Sequence, residues 1–547
     1  MSRRLTFISL GALLVLLWLW WRSSPRETSR PALVTSPATP VPLVPAAAQT
    51  SPPPPEPAST VAERELLAEL QRLLQRRNAR RDEAVLTFAT DEAYRAFLAR
   101  ARAAGLTVTG QLDALRTVRL HYDSLPALRD DMLRHPADYA GLGANYLLQP
   151  PEASTPPKED RAAIREVPLG NNSLAALGVT GDHSQWGRGT TIAILDSGVA
   201  GDPTFGAGRL RALDIGLGLA PGRGAEDGHG TAVAGLAAGL SPDAPGVSPA
   251  ANLLSIRVTD ASGASDLFTV AQGILTAVDA GAKILNLSLG GYATGPVLTA
   301  AIDYATAHGA ILVAAAGNDQ AARLTWPAAD PRVVSVGAVD ALGQQVTFSN
   351  SGAQLQTSAP GYGVQTAWLD GRRVTVDGTS ASAPFVAGAI AAVMSQNPSL
   401  TAAQAWQILA DTVSEAGAPG PDPDYGRGIL NIGWAMNRNN AAYADPAIAS
   451  HSYDAANNQV QFIVQNRGNS PVSGLTLDLT ADATTRTTLV PTLLSGATFI
   501  VNLPVNSTAL SANPTLTFTS QLNNPSGLVD QVPANNRKST RLTAPKK

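Results

Sequence analysis

Hydrophobic positions change their spacing several times along the chain, and each change marks a segment. From Leu5 to Trp21 the apolar residues are nearly continuous, broken only by Thr6, Ser9 and Gly11, with Arg3 and Arg4 before them and Trp18, Trp20 and Trp21 at the far end. A helix of that length spans about 25 Å at about 1.5 Å per residue, the short end of what crosses a bilayer. Indoles favour the water–lipid interface. Residues 1–26 therefore read as a signal anchor or a cleaved signal peptide. No small-x-small cleavage site follows closely, which favours the anchor. Residues 27–60 carry Pro-Ala-Thr-Pro-Val-Pro and Pro52-Pro53-Pro54-Pro55. Such a composition builds no core and predicts an extended spacer.

Residues 61–150 recover regular periodicity. Val61 to Arg81 has helical spacing, Ala84 to Phe88 reads as a strand, and a helix follows that Asp91 can cap and Gly105 can end. Leu106-Thr107-Val108 and Leu115 to Tyr122 alternate as strands, Ser124 opens a second helix, and Tyr146-Leu147-Leu148 closes the unit. The order is β-α-β-β-α-β, a split βαβ arrangement. Residues 151–168 are again Pro-rich and charged, which predicts an exposed linker. Residues 169–440 alternate short apolar strands with helices. The strands are Thr191 to Leu195, Leu253 to Ile256, Ile284 to Leu287, Ala310 to Ala314 and Val333 to Val336. Continuous apolar strands between helices predict a parallel sheet covered on both faces. In residues 441–547 helical spacing disappears. Alternating runs at Gln459 to Val464, Leu475 to Leu479 and Thr498 to Asn502 predict a β-sandwich.

Composition narrows the chemistry more than it identifies it. The chain has 547 residues and a formal net charge of -3, which gives no electrostatic case for nucleic acid or for an anionic membrane surface. It has no cysteine, which excludes disulfides, thiolate metal sites and a lipid-modified cysteine. Its length suggests several units.

Three segments of residues 169–440 carry side chains that fit one chemistry. Asp196 follows a buried strand and precedes Ser197-Gly198, at the strand end where open α/β sheets form their sites. His229 lies in Asp-Gly-His-Gly-Thr ahead of a small-residue helix, and Ser380 lies in Gly378-Thr379-Ser380 ahead of another. Helix starts favour negative charge developing nearby. A serine hydroxyl needs a base to become a nucleophile. Imidazole suits that task at neutral pH, and a buried carboxylate fixes its tautomer. Each residue alone is weak evidence, since an aspartate ending a strand is often a cap and a glycine-flanked serine often a turn.

Together the segments resemble the subtilase family of serine proteases. The matching stretches are Ala193 to Val199, Asp227 to Gly235 and Gly378 to Gly388, in the order Asp, His, Ser. The resemblance covers about residues 170–437 and implies Asp196, His229 and Ser380 as a catalytic triad. Val313-Ala314-Ala315-Ala316-Gly317-Asn318 resembles the segment whose asparagine donates to the oxyanion, which assigns that role to Asn318 beside the Ser380 backbone N–H. Ser288-Leu289-Gly290-Gly291 resembles the strand edge that binds an extended peptide. Ala315, Ala316 and Gly317 resemble one wall of the first specificity pocket. The implied fold is a subtilisin-like parallel sheet with helices on both faces, preceded by a small α+β domain and followed by a β-sandwich. The implied activity is endopeptidase cleavage of protein or peptide substrates.

The chain departs from the family pattern in places. Ala381 stands where methionine is common, Ala232 where a second histidine is frequent, and Phe385 where histidine is frequent. The loop Ala238 to Pro249 matches a calcium loop of many relatives, but its only carboxylate is Asp243. Calcium prefers six to eight oxygens, so no metal site is expected there, no cofactor is required, and calcium elsewhere stays open. Residues 84–150 resemble the family's propeptide, which assists folding and then inhibits with its tail. The chain's own propeptide is thus an expected partner, and self-processing is expected. Residues 445–540 resemble adhesion-type sandwiches, although a stability or spacing module fits them equally. Two rivals remain: an inactive scaffold that binds partners, and an esterase. The second lacks a Gly-x-Ser-x-Gly elbow here. No acidic residue marks a pocket floor, so a broad or apolar preference is the default. The expected location is at a membrane through residues 5–21 with the catalytic domain outside the cytoplasm, or secreted if that segment is removed.

Overall fold

The computed structural model describes residues 58–150, 166–216, 228–260, 262–481, 484–505 and 515–543. The Leu5–Trp21 run, residues 27–57 of the Pro-rich spacer and most of the 151–168 linker lie outside them. The chain divides into two compact units between Asn145 and Tyr146.

The first unit is α+β. Its strands are β1 (Ala79–Phe88), β2 (Leu106–Leu112), β3 (Thr117–Tyr122) and β4 (Tyr139–Leu148), in the order β2-β3-β1-β4. Helices Asp91–Arg100 and Leu125–Arg134 complete the β-α-β-β-α-β order. Phe88, Phe97, Leu70 and Leu128 are fully buried and form its centre. Two local expectations are corrected. The helix expected to reach Arg81 ends at Leu74, and residues 79–88 are strand. Its buried positions Leu70 and Leu74 are the last the helical register offers; beyond them the charged stretch Arg76 to Glu83 has no apolar face for a helix to bury. Thr90, not Asp91, caps the next helix, its hydroxyl accepting from Ala93 N at 3.1 Å.

The second unit holds a seven-stranded sheet. Its strands are β5 (Thr191–Asp196), β6 (Leu210–Leu213), β7 (Asn252–Arg257), β9 (Ile284–Leu287), β10 (Ile311–Ala315), β11 (Val334–Val339) and β12 (Thr357–Pro360), with a two-residue strand β8 (Ser265–Asp266) outside the sheet. The order is β12-β11-β10-β9-β5-β7-β6, and all neighbours are parallel. Side chains along a strand alternate between faces. Ile192 and Ile194 join the apolar cluster that contains helices His229–Ala238 and Thr379–Gln396. Leu195 points the other way, toward Gly273 of helix Leu267–Asp279. Both faces are therefore covered. β5 lies between β7 and β9, where the strand order reverses, so its carboxyl end opens into the crevice where such sheets bind ligands.

A hairpin of β13 (Val364–Ala367) and β14 (Arg373–Val376) precedes helix Thr379–Gln396. The C-terminal part contains two antiparallel sheets. One is β15 (Pro446–Asp454), β16 (Gln459–Asn466) and β19 (Thr498–Pro504), in the order β15-β16-β19. The other is β17 (Thr476–Ala481), β18 (Thr484–Leu489), β20 (Thr515–Asn523) and β21 (Arg537–Thr543), in the order β18-β17-β20-β21. Phe462, Leu477 and Phe518 from the two sheets share one buried cluster, which makes them a sandwich. Polar contacts join it to the preceding helices: Trp434 Nε1 donates to Asn469 at 3.0 Å, and the Gln465 side chain accepts from Glu415 N at 2.9 Å.

Candidate active site

Asp196 ends β5 and is fully buried. Its Oδ1 accepts from Ser197 N at 2.7 Å and lies 2.7 Å from His229 Nδ1. His229 is the first residue of its helix. The glycines beside it are there because the helix start is crowded. A Cβ on Gly230 would lie 2.3 Å from Gly198 O, and one on Gly228 would lie 2.2 Å from the Trp368 indole. Gly230 N also donates to Ser197 Oγ at 3.0 Å. The backbone on both sides of His229 is thus held, with Nδ1 of the imidazole on the carboxylate.

Ser380 is the second residue of helix Thr379–Gln396 and is buried. Gly378, with φ 139, leads into it. A Cβ at Gly378 would lie 3.0 Å from Ser380 Oγ, 2.9 Å from Asn318 Nδ2 and 3.7 Å from Ser380 N. Glycine therefore keeps open one point within reach of a hydroxyl and two N–H donors, where a carbonyl carbon and its oxygen can sit. Asn318 is fully buried and oriented by Thr379, whose N and Oγ1 both donate to Asn318 Oδ1, at 2.9 and 2.8 Å. With its acceptor occupied, the amide presents Nδ2 to the open point. Thr379 was not singled out from the sequence, although it lies between Gly378 and Ser380.

Pro384 sits inside this helix, four residues after Ser380. Proline has no N–H, so the Ser380 carbonyl loses its helical donor. Ser288 Oγ donates to that oxygen instead, at 2.9 Å, and receives a hydrogen bond from Asn286 Nδ2 at 3.0 Å. Ser288 and Leu289 are both fully buried; of the four edge residues, Gly290 and Gly291 make the exposed-strand contacts. Gly290 exchanges two hydrogen bonds with Gln149, at 2.8 and 3.0 Å, and Gly291 pairs with Trp326. Just before Gln149, Leu147 and Leu148 pair antiparallel with Asp266 and Ser265 of β8. An extended stretch is thus held between β8 and the Gly290 edge.

Ala315 and Ala316 are fully buried, and Gly317 has φ 110. A Cβ at Gly317 would lie 2.2 Å from Asn350 Nδ2 and 2.9 Å from Thr325 Cγ2; one at Gly290 would lie 2.6 Å from Thr325 Oγ1. Thr325 therefore occupies the gap between these two glycines, and Asn350 packs against Gly317. At the rim, Tyr292 donates to Asp319 at 2.5 Å beneath Arg323, 4.3 Å from the ring centre. Burial and the bond to Asp319 push the phenol up to about 12, so it stays a neutral donor.

Among the described residues no group of three or more His, Cys, Asp or Glu could hold a metal ion. The Ala238–Pro249 loop packs back onto its helix, with Gly246 N donating to Gly239 O and Val247 N to Leu236 O. With Asp243 as its single carboxylate it does not fit calcium.

A buried carboxylate on an imidazole, with a serine and an amide donor converging at the carboxyl end of a parallel sheet, defines the class of subtilisin-like serine endopeptidases. The comparisons agree. Residues 187–428 match the Subtilase family model. The chain is 36% identical over 252 residues to a "Thermostable alkaline protease" of Halalkalibacterium halodurans, covering 46% of this chain and 68% of that protein. It is 35% identical over 250 residues to "Subtilisin Savinase" of Lederbergia lenta, covering 45% of this chain and 90% of that protein. It is 32% identical over 331 residues to "Alkaline elastase YaB" of a Bacillus species, covering 59% and 83%. The chain belongs to the subtilase family, as a serine protease acting on protein and peptide substrates.

Proposed function

We propose that Asp196, His229 and Ser380 act as the triad of a self-processing endopeptidase. His229 takes the Ser380 proton as Ser380 Oγ attacks the peptide carbonyl. Asp196 holds the imidazole in the required tautomer and stabilises its cation. Asn318 Nδ2 and Ser380 N stabilise the tetrahedral oxyanion. His229 then protonates the leaving amine, and water releases the acyl group. The observation that carries this reading is the open point at Gly378, about 3 Å from both Ser380 Oγ and Asn318 Nδ2. Asn318→Leu tests it. The variant should lose about 100- to 1000-fold in kcat, the scale known for this donor in subtilisin, with KM little changed. A loss under threefold would remove Asn318 from the oxyanion role.

Residues 61–150 act as a propeptide, with 151–168 as linker, 169–440 as the catalytic domain and 441–547 as an added sandwich. The pairing of Leu147 to Gln149 with β8 and Gly290 supports product-like inhibition by the propeptide tail. Residues 5–21 tether the precursor to a membrane and 27–60 act as spacer, with catalysis outside the cytoplasm; if the first segment is cleaved, the enzyme is secreted. No helix among the described residues is long and apolar enough to cross a membrane, and residues 5–21 lie outside them. Nucleic acid has no part in the activity. N-terminal sequencing of the purified active form tests this layout. A start after residue 150 supports propeptide removal; a start before residue 61 in a fully active enzyme contradicts it.

The side chain of the residue whose carbonyl is attacked enters between Gly290 and Gly317, where Thr325 leaves little depth. Small residues are favoured there, which narrows the broad preference expected from the sequence. A peptide nitroanilide ending in Ala should exceed one ending in Phe by about tenfold or more in kcat/KM, and Thr325→Gly should shrink that ratio. A wild-type preference for Phe would overturn this assignment.

A further inference from the structure

Away from the active site, a cavity of about 580 Å³ lies where the sandwich meets the sheet-bearing part of the second unit. Asp340, Glu415 and Ser414 line it from one side, and Asp445, Arg467 and Lys538 from the other. Arg467 is only 9% exposed. Its Nε donates to Gln465 at 3.0 Å. Its two Nη groups have no acceptor among the described residues, and no carboxylate among them lies within ion-pair distance of the guanidinium. A guanidinium carries five N–H donors and cannot shed its charge, and a buried cation without a partner is costly. Lys538 lines the same cavity and makes one long hydrogen bond, to Ala449 O at 3.3 Å. Burial and the nearby Arg467 push its ammonium down to about 8, so the two cations are close enough to repel.

The cavity's acids act on them only through space, Asp445 and Glu415 on Arg467 and Asp340 on Lys538, and none closes to an ion pair. Asp340 is committed to the backbone, accepting from Leu342 N and Gln344 N at 2.9 Å and from Val167 N at 3.0 Å. Asp445 accepts from Asn535 at 2.7 Å, and burial pushes its carboxyl up against the opposing pull of Arg467. Burial likewise pushes Glu415 up. Two cations thus share a cavity in which neither has an ion-pair partner among the described residues. We propose that this cavity binds a small oxyanion, a carboxylate or phosphate group, between Arg467 and Lys538. Planar guanidinium suits such oxygens in bidentate geometry. Because the lining comes from both sides of the junction, the anion acts as a clasp that fastens the sandwich to the sheet-bearing part.

The test is thermal unfolding of the full chain carrying Ser380→Ala, which prevents self-digestion. Sodium phosphate and sodium acetate are each compared with sodium chloride at matched ionic strength. The anion that fits should raise Tm by several degrees, roughly 5 °C at saturation, along a saturable curve. The phosphate and acetate arms decide which oxyanion is held. Arg467→Met and Lys538→Met, introduced separately, should each abolish the oxyanion-specific rise. Coincident curves in all three salts would overturn the proposal, and so would a full rise in either variant. If Arg467→Met fails to fold, Lys538→Met carries the same test. Because this readout involves no turnover, its failure is separable from failure of the triad assignment.

Discussion

Ser380→Ala should abolish casein hydrolysis and leave the precursor uncut. The substitution removes one oxygen from a buried position at a helix start and leaves Asn318, Thr379 and the Asp196–His229 pair intact. The fold should therefore persist, with a stability change of no more than about 1 kcal/mol. Without the hydroxyl there is no acyl-enzyme, and kcat should fall by about a millionfold, the scale known for loss of the nucleophile in subtilisin. A residual rate of roughly 10³–10⁴ over water would remain from the oxyanion donors and binding. Electrophoresis of the purified variant reads the second half of the prediction. A single full-length band supports self-processing, and normal cleavage in a pure Ser380→Ala preparation would show that another protease does the work.

The second large effect is that of Asp196→Asn. Asparagine has the same shape, but a single oxygen of Asp196, Oδ1, both accepts from Ser197 N and faces His229 Nδ1. The atom facing His229 Nδ1 thus becomes ambiguous between donor and acceptor. If Nδ2 turns to the imidazole, Nδ1 must accept, and the ring proton moves to Nε2. That tautomer cannot take the Ser380 proton. A loss of about 10⁴ in kcat follows, as for the same change in other serine proteases. KM should hardly move, because Asp196 is fully buried and meets no substrate. Peptide nitroanilide kinetics with a parallel thermal melt separate the two effects. A drop below tenfold with normal folding would remove Asp196 from its orienting role.

The interior of the parallel sheet was legible because its strands are short apolar runs: β5, β7, β9, β10 and β11 all fall on stretches read as strands. The two edge strands were not. β6 reads Leu-Arg-Ala-Leu and β12 reads Thr-Ser-Ala-Pro, and neither has the β-branched apolar content that marks a buried strand. In the sandwich β16, β17 and β19 fall on stretches read as strands, whereas β20 was not read although it buries Leu516, Phe518 and Leu522 in strict alternation. β18, with Thr485, Arg486 and Thr487 exposed, gave no apolar signal.

At the site, Asp196, His229, Ser380 and Asn318 were readable because each lies at a strand end or helix start within a short motif. Their supports were not, because they come from distant parts of the chain. Thr379 orients Asn318 from 61 residues away. Ser288 serves the Ser380 carbonyl from 92 residues away. One clue was present: Pro384, four residues after Ser380, frees that carbonyl and demands a donor from elsewhere. Trp368 against Gly228 and Thr325 between Gly290 and Gly317 left no such trace, since they follow from how separate loops pack.

The most direct test of the central claim is labelling by a fluorophosphonate, which reacts with an activated serine and not with an ordinary one. The purified, processed enzyme should incorporate one equivalent, the modified peptide should contain Ser380, and casein hydrolysis should disappear in step. Ser380→Ala should not label. Absence of labelling in folded, processed protein, or a modified serine other than Ser380, would contradict the account.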